Sequence, residues 1–213
     1  MKRIFVLILL VTIHFGCDDS GNSPIIFENI APNKDMSLSR IFNYQNLSSI
    51  QFTVYDSTVI NRESEVQYKL NYEIYYDLNR CRIIQYYNNN VWLLSVEDFR
   101  KNIFWTYDYN TNILDTNKES TRTSFENYIK NYLCTHLNNN YVYKSDTTIQ
   151  TMDCSVFEDI NQTTEWVWKN YKIPVQFRRI LNYDNLNQIT TVQLRNIQPN
   201  IMLADSLFEI PDK

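Results

Sequence analysis

Residues 65–77 read EVQYKLNYEIYYD, and the architecture turns on how they are read. Val66, Tyr68, Leu70, Tyr72, Ile74 and Tyr76 occupy one parity. Gln67, Lys69, Asn71, Glu73 and Asp77 occupy the other, with Tyr75 the single exception. A period of two sends alternate side chains to opposite faces of a strand. The stretch is therefore a long, half-buried strand with one apolar and one wet face. A wet face belongs to an antiparallel sheet rather than to the doubly covered sheets of α/β folds.

Strand-like runs continue on both sides at hairpin spacing. Residues 51–59 precede it; 81–87, 91–96 and 103–107 follow. After residue 140 come 141–149, 152–158, 165–169, 173–181 and 189–197. Pro174 marks a strand edge or entry. Residues 123–137, TSFENYIKNYLCTHL, break the pattern: Phe125, Tyr128, Ile129, Tyr132, Leu133 and His136 recur at spacings of three and four. Thr123 with Glu126 forms a capping-box pair, and Asn138 ends the segment, so an amphipathic helix is expected. Residues 36–50 hold a second, shorter helix. The expected fold is mainly β: about ten antiparallel strands with one or two helices.

Both glycines, Gly16 and Gly21, precede this domain. A glycine-free domain carries no glycine-rich phosphate loop or dinucleotide fingerprint. Its turns must use asparagine, the non-glycine residue that best tolerates positive φ. Asn88-Asn89-Asn90, Asn110-Thr111-Asn112, Asn138-Asn139-Asn140 and Asp184-Asn185-Leu186-Asn187 are the candidates. The chain has 20 basic and 24 acidic residues without a basic cluster, which argues against nucleic acid as a partner.

The N-terminus reads MKRIFVLILLVTIHFGCDDS. Lys2 and Arg3 precede an apolar run, Ile4 to Ile13, too short to span a bilayer, which needs roughly 20 residues. Gly16-Cys17 follows directly. The segment resembles a bacterial lipoprotein signal, in which the cysteine after the cut is acylated. His14 and Phe15 stand where such signals carry leucine and a small residue. A plain secretory signal cut nearby would instead leave Cys17 a free thiol or remove it. The expected organisation is a signal at 1–16, lipid attachment and tether at 17–35, and one domain at 36–213. Loss of Lys2 and Arg3 moves the net charge from −4 to −6.

The C-terminal half carries a second resemblance. EWVWKNYKIPV at 165–175, ITTVQLRNIQ at 189–198 and ADSLFEIPDK at 204–213 follow one another in an order similar to the LolA/LolB-like superfamily of lipoprotein carriers and sorting proteins. The likeness is most specific at Ile173-Pro174-Val175 and at 205–211. It implies a strongly curved sheet, a half-open barrel with helices over its mouth, holding an apolar ligand between them. Tyr68, Leu70, Tyr72 and Ile74 from the long strand, and Phe125, Ile129, Tyr132 and Leu133 from the helix, are the candidate lining. Trp166 and Trp168 share one parity and join them. The same side chains could equally be a filled core. Family carriers that cross the periplasm are unlipidated, so acylation of Cys17 would make this chain a tethered relative.

Chemistry is sparse. His136 is the one histidine of the mature chain, and Cys134 lies two residues from it, on another helical face. Neither a Cys/His dyad nor a zinc site is expected, and no nucleophile elbow is present. Glu97-Asp98 and Glu158-Asp159 read as solvated turn ends. Export permits one disulfide among Cys81, Cys134 and Cys154, in any of three pairings, or three buried thiols. The expected function is a non-catalytic, cofactor-free module for a lipid or other apolar ligand. It would be held by acyl chains in the cell envelope, at the outer membrane facing periplasm or cell surface. The alternative is a structural or stress-sensing lipoprotein that binds an envelope protein and has no internal ligand. The side that Trp166 and Trp168 face separates the two.

Overall fold

The computed structural model describes residues 34–61, 67–116, 122–183 and 186–210. The 1–16 segment, Cys17, nearly all of the tether, Val66, Asp184, Asn185 and the closing Pro211 lie outside the described residues. Helix α1 (Leu38–Gln45) leads into β1 (Ser49–Ile60), β2 (Lys69–Asp77), β3 (Arg80–Tyr87), β4 (Asn90–Asp98), β5 (Ile103–Asp108) and β6 (Ile113–Asp115). Helix α2 (Arg122–Leu133) follows, then β7 (Tyr141–Ile149), β8 (Met152–Asp159), β9 (Thr164–Trp168), β10 (Ile173–Tyr183) and β11 (Leu186–Pro199), with a 3-10 turn at Asp205–Phe208. The strands form one sheet in the order β6-β5-β4-β3-β2-β1-β11-β10-β9-β8-β7, every pairing antiparallel. Two meanders thus meet at β1 and β11, and β6 and β7 are the open edges. Helix α2 lies in the connection from one edge to the other, which carries it across one face. A sheet of eleven strands exceeds the ~10 at which twisted open sheets curl, so it wraps round its helices as a half-open barrel. The expected fold is observed; β6, with three residues, is the strand too short to leave a periodic trace.

Asparagine does make the turns. Eleven described non-glycine residues have positive φ, and eight of them are asparagines. Asn88 and Asn89, at φ 49° and 64°, form the two-residue loop between β3 and β4, which needs positive φ at both positions. At other turns an aspartate closes the strand and accepts backbone N–H groups. Asp77 holds Asn79 and Arg80, Asp98 holds Arg100 and Lys101, and Asp108 holds Asn110 and Thr111. Asp98 is buried rather than solvated, as is Glu97 beside it.

The alternation that defines β2 conceals a slip. Val54 pairs with Tyr72, but Tyr55 pairs with Leu70, so Asn71 is an extra residue in β2. A one-residue bulge reverses which face the following side chains occupy. Tyr72, Ile74 and Tyr76 pack in the core under the helices. Tyr68 instead meets Arg195, whose guanidinium lies 4.5 Å from the Tyr55 ring centroid and 4.8 Å from that of Tyr68, and Leu70 shares the face of Tyr55. The expectation that Tyr68 and Leu70 line the inner face is therefore corrected.

The main core lies between α1, α2 and the centre of the sheet. Leu38, Ile41, Phe42 and Gln45 bury one stripe of α1. Phe42 meets Tyr76 at 4.9 Å between ring centroids, and Gln45 Nε2 donates to the Leu133 carbonyl at the end of α2, 2.7 Å away. Ile129, Leu133 and Cys134 complete the packing from α2. A second cluster, Ile84, Leu94, Val96 and Trp105, occupies the outer face, with Tyr75 and Phe208 against it. Tyr75, the exception on the wet parity of β2, belongs here. The 3-10 turn is strapped down by Arg80, which pairs with Asp77 and Asp205 and lies over the Phe208 ring at 4.2 Å.

Candidate functional site

The core reaches Ile173 on β10 and Leu194 on β11, and a slot opens beside it. Tyr132 from α2 and His136 just beyond it form one wall; Val175, Phe177, Val192 and Leu194 form the floor. The slot's volume is about 230 Å³, and one side is open to solvent. That exceeds the ~150 Å³ of a cavity known to stay dry and bind benzene, but falls below the ~300–1,000 Å³ of clefts for drug-sized ligands. It suits one alkyl or aromatic group, not several acyl chains side by side.

Local chemistry fixes the walls. Pro174 and Val175 create a bulge: Pro174 pairs with Val167, but Gln176 pairs with Trp166, leaving Val175 as the extra residue. The end of α2 is pinned by Glu165 on β9, whose side chain is fully buried. Both carboxylate oxygens accept the His136 backbone N–H, at 3.0 and 2.9 Å, and Oε1 lies 3.6 Å from His136 Nδ1. Bonds to an ionised acceptor are the stronger kind. The His136 ring packs against Phe177, centroids 4.9 Å apart. On the other wall, Tyr132 and Tyr128 bring their hydroxyls to 3.4 Å, and burial pushes both phenols above the usual tyrosine range.

His136 and Phe177 also line a wider polar cleft of about 720 Å³. Asn138, Tyr141, Asp159, Gln162, Thr163 and Arg179 are among its walls. Burial, then the Glu165 and Asp159 charges, push the Tyr141 phenol up to about 12. The apolar slot and the polar cleft share His136 and Phe177 as walls.

Of the candidate lining whose side chains are described, Tyr132 alone faces the slot. Ile74, Ile129 and Leu133 are fully buried in the filled core, and Tyr72 packs edge-on against Tyr128 at 5.4 Å. Phe125 belongs to α2, but its side chain lies outside what is described. Trp166 and Trp168 alternate with Glu165 and Val167, which face the helix, so both tryptophans turn to the outer face, packed with Met152 and Cys154. Val175, Phe177, Val192 and Leu194 escaped the sequence reading, although Val175 stands in the Ile173-Pro174-Val175 phrase and Val192 and Leu194 share a parity.

Cys81, Cys134 and Cys154 are free and buried. Burial pushes Cys134 and Cys154 each up to about 11 and Cys81 well above the usual thiol range, so none is a ready nucleophile. Among the described residues, no group of three or more His, Cys, Asp or Glu could hold a metal ion. No described helix is long and apolar enough to cross a membrane.

No protein-family model matches the sequence, and no curated protein matches it. Solved structures do. A LolA superfamily protein from Nitrosomonas europaea aligns at TM-score 0.35 and 13% identity, over 82% of this chain and 98% of that one. An outer-membrane lipoprotein-sorting domain from Vibrio parahaemolyticus aligns at TM-score 0.30 and 11% identity, over 83% and 97%. MucB, solved in complex with MucA, aligns at TM-score 0.46 and 10% identity, over 81% of this chain but only 58% of MucB. All three likenesses are remote.

Proposed function

We propose that this chain is an exported lipoprotein, anchored through Cys17 in the bacterial envelope, and that it binds the apolar part of a lipid or similar ligand without catalysing a reaction. The slot between α2 and β10–β11 carries the reading. Its walls are mostly hydrocarbon and aromatic, and across His136 and Phe177 it adjoins a polar cleft able to solvate a head group. Tyr132, Phe177 and Val192 would grip the apolar part, with His136 at the boundary. Native mass spectrometry of protein purified without detergent tests the ligand: a bound lipid lost on mild heating is expected, and a bare chain under all conditions contradicts the reading. Intact-mass analysis of the N-terminus tests the anchor separately, because an unmodified or missing Cys17 removes it.

A second reading, in which the protein binds an envelope partner, is favoured by two observations, the outward turn of Trp166 and Trp168 and an open strand edge. Strand β7 is an edge, and residues 142–148 are exposed along it. Unpaired strand edges can accept a strand from another chain. Lys144 and Asp146, paired with Glu158 and Lys169, put charge on that edge and oppose such pairing. A proline at Ser145 that abolished a partner's binding would support this reading over the first.

A further inference from the structure

We propose that the end of the sheet bearing the polar cleft beside the slot docks directly on a lipid bilayer. In a meander, successive turns alternate between the two ends of the sheet. The β3–β4, β5–β6 and β8–β9 turns lie at one end, with the close of β1 and the start of β11. The β2–β3, β4–β5, β7–β8 and β9–β10 turns lie at the other. Large apolar side chains are exposed at the first end on separate turns and strand tips: Ile160 at 83%, Tyr87 at 69%, Ile113 at 59%, and also Ile60, Trp92 and Tyr109. The polar cleft that includes Asn138, Tyr141 and 159–163 opens at the same end.

The chemistry of these turns selects a bilayer as the occupant. Residues 88–90, 109–113 and 160–163 contain no charged side chain; the charges of this end are concentrated in the sequence of the β1–β2 and β10–β11 connections (Arg62, Glu63, Glu65, Asp184) and at the flanking Asp108 and Asp159. Tyrosine and tryptophan have an apolar body and a polar tip, which suits the membrane–water interface. The far end also exposes Ile103 and Met202, but its turns carry Arg80, Arg100, Lys101, Lys169 and Lys172. Apolar groups on several separate tips fit a fluid surface that closes around each one. A folded protein partner would need one continuous complementary patch. The rim has no cationic cluster, so apolar burial rather than charge attraction drives docking, and zwitterionic lipid suffices. Docked this way, the domain presents its cleft to the membrane. A ligand could then pass between bilayer and slot without crossing water; that route alone rests on the reading of the slot as a ligand site.

Tryptophan quenching separates docking from ligand binding. The whole protein is mixed with palmitoyl-oleoyl phosphatidylcholine vesicles, with and without dibrominated phosphatidylcholine, whose bromine quenches nearby indoles. Of the four tryptophans, Trp92 alone is exposed, near this rim; Trp105 is buried, and Trp166 and Trp168 are half-buried on the outer face of β9. Emission is expected to fall with the brominated lipid. Trp92→Phe should abolish most of that fall, Trp166→Phe should retain it, and Ile160→Ser should weaken it. No fall, or a fall that survives Trp92→Phe, overturns the proposal. So does a photo-cross-linker at Tyr109 that captures a single envelope protein and no lipid. A positive result with no ligand in native mass spectra would keep the docking and remove the slot reading.

Discussion

The inner face of the sheet has two halves that share their ingredients and differ in outcome. Over β1–β3, α1 supplies Leu38, Ile41 and Phe42, and they fill the space against Ile74, Tyr76 and Cys81. Over β10–β11, Ile173 and Leu194 still pack into that core, but a slot remains between Tyr132 and His136 on one side and Phe177 and Val192 on the other. An apolar strand face plus an amphipathic helix is thus compatible with either a core or a slot. What decides is whether enough side-chain volume arrives from above, because interiors otherwise close to near-crystalline density.

The largest effect belongs to the filled half. Phe42→Ala should cost about 3–5 kcal/mol, the range for removing a buried aromatic ring, read as a shift in urea midpoint. A cost near zero would mean that this half is no better filled than the other. At the boundary, Glu165→Ala leaves the His136 N–H without its acceptor and should cost about 1–3 kcal/mol. Because the same bond positions a slot wall, binding of an apolar probe should weaken along with stability. Stability lost with binding intact would limit Glu165 to a role in folding.

The thiols sharpen the contrast by pH. Cys134 lies in the filled half, and burial raises it from an ordinary 9.0 to about 11. A thiol whose pKa is higher in the folded state contributes stability that is complete below the unfolded value and is lost as pH rises through the folded one. Denaturation midpoints should therefore include a fall between pH 9 and about 11 that Cys134→Ala reduces. Cys81 and Cys134 should also resist a thiol reagent at pH 8 until denaturant is added; rapid labelling of the folded chain would show that this half is open. The smallest stability effect is expected in the open half. Val192→Phe adds volume where space exists and should cost less than the ~1–3 kcal/mol that such an enlargement costs in a filled core.

The sheet was legible because period-two alternation and asparagine-rich turns are local properties. Residues 65–77 announced an antiparallel strand, and Asn88-Asn89 announced its hairpin geometry. The slot was not legible, for two reasons. Asn71 and Val175 are bulge residues, and a bulge reverses facing without disturbing the apolar pattern in the sequence, so Tyr68 and Leu70 were assigned to the wrong face. The slot beside Val192 depends on the path of the chain beyond α2, where Glu165 holds the His136 N–H through a contact 29 residues away in sequence. Local patterns identify faces; the space between faces comes from long-range packing.

The central claim is that the α2–β10–β11 slot holds an apolar ligand. The most direct measurement is a titration with dansylaminoundecanoic acid, followed by dansyl fluorescence, of the whole protein and its Val192→Phe variant. Saturable binding of one probe per chain is expected, with a loss of roughly tenfold or more in the variant, since 1.4 kcal/mol corresponds to tenfold. Equal affinity in the two proteins, or no saturable binding in either, would contradict the account.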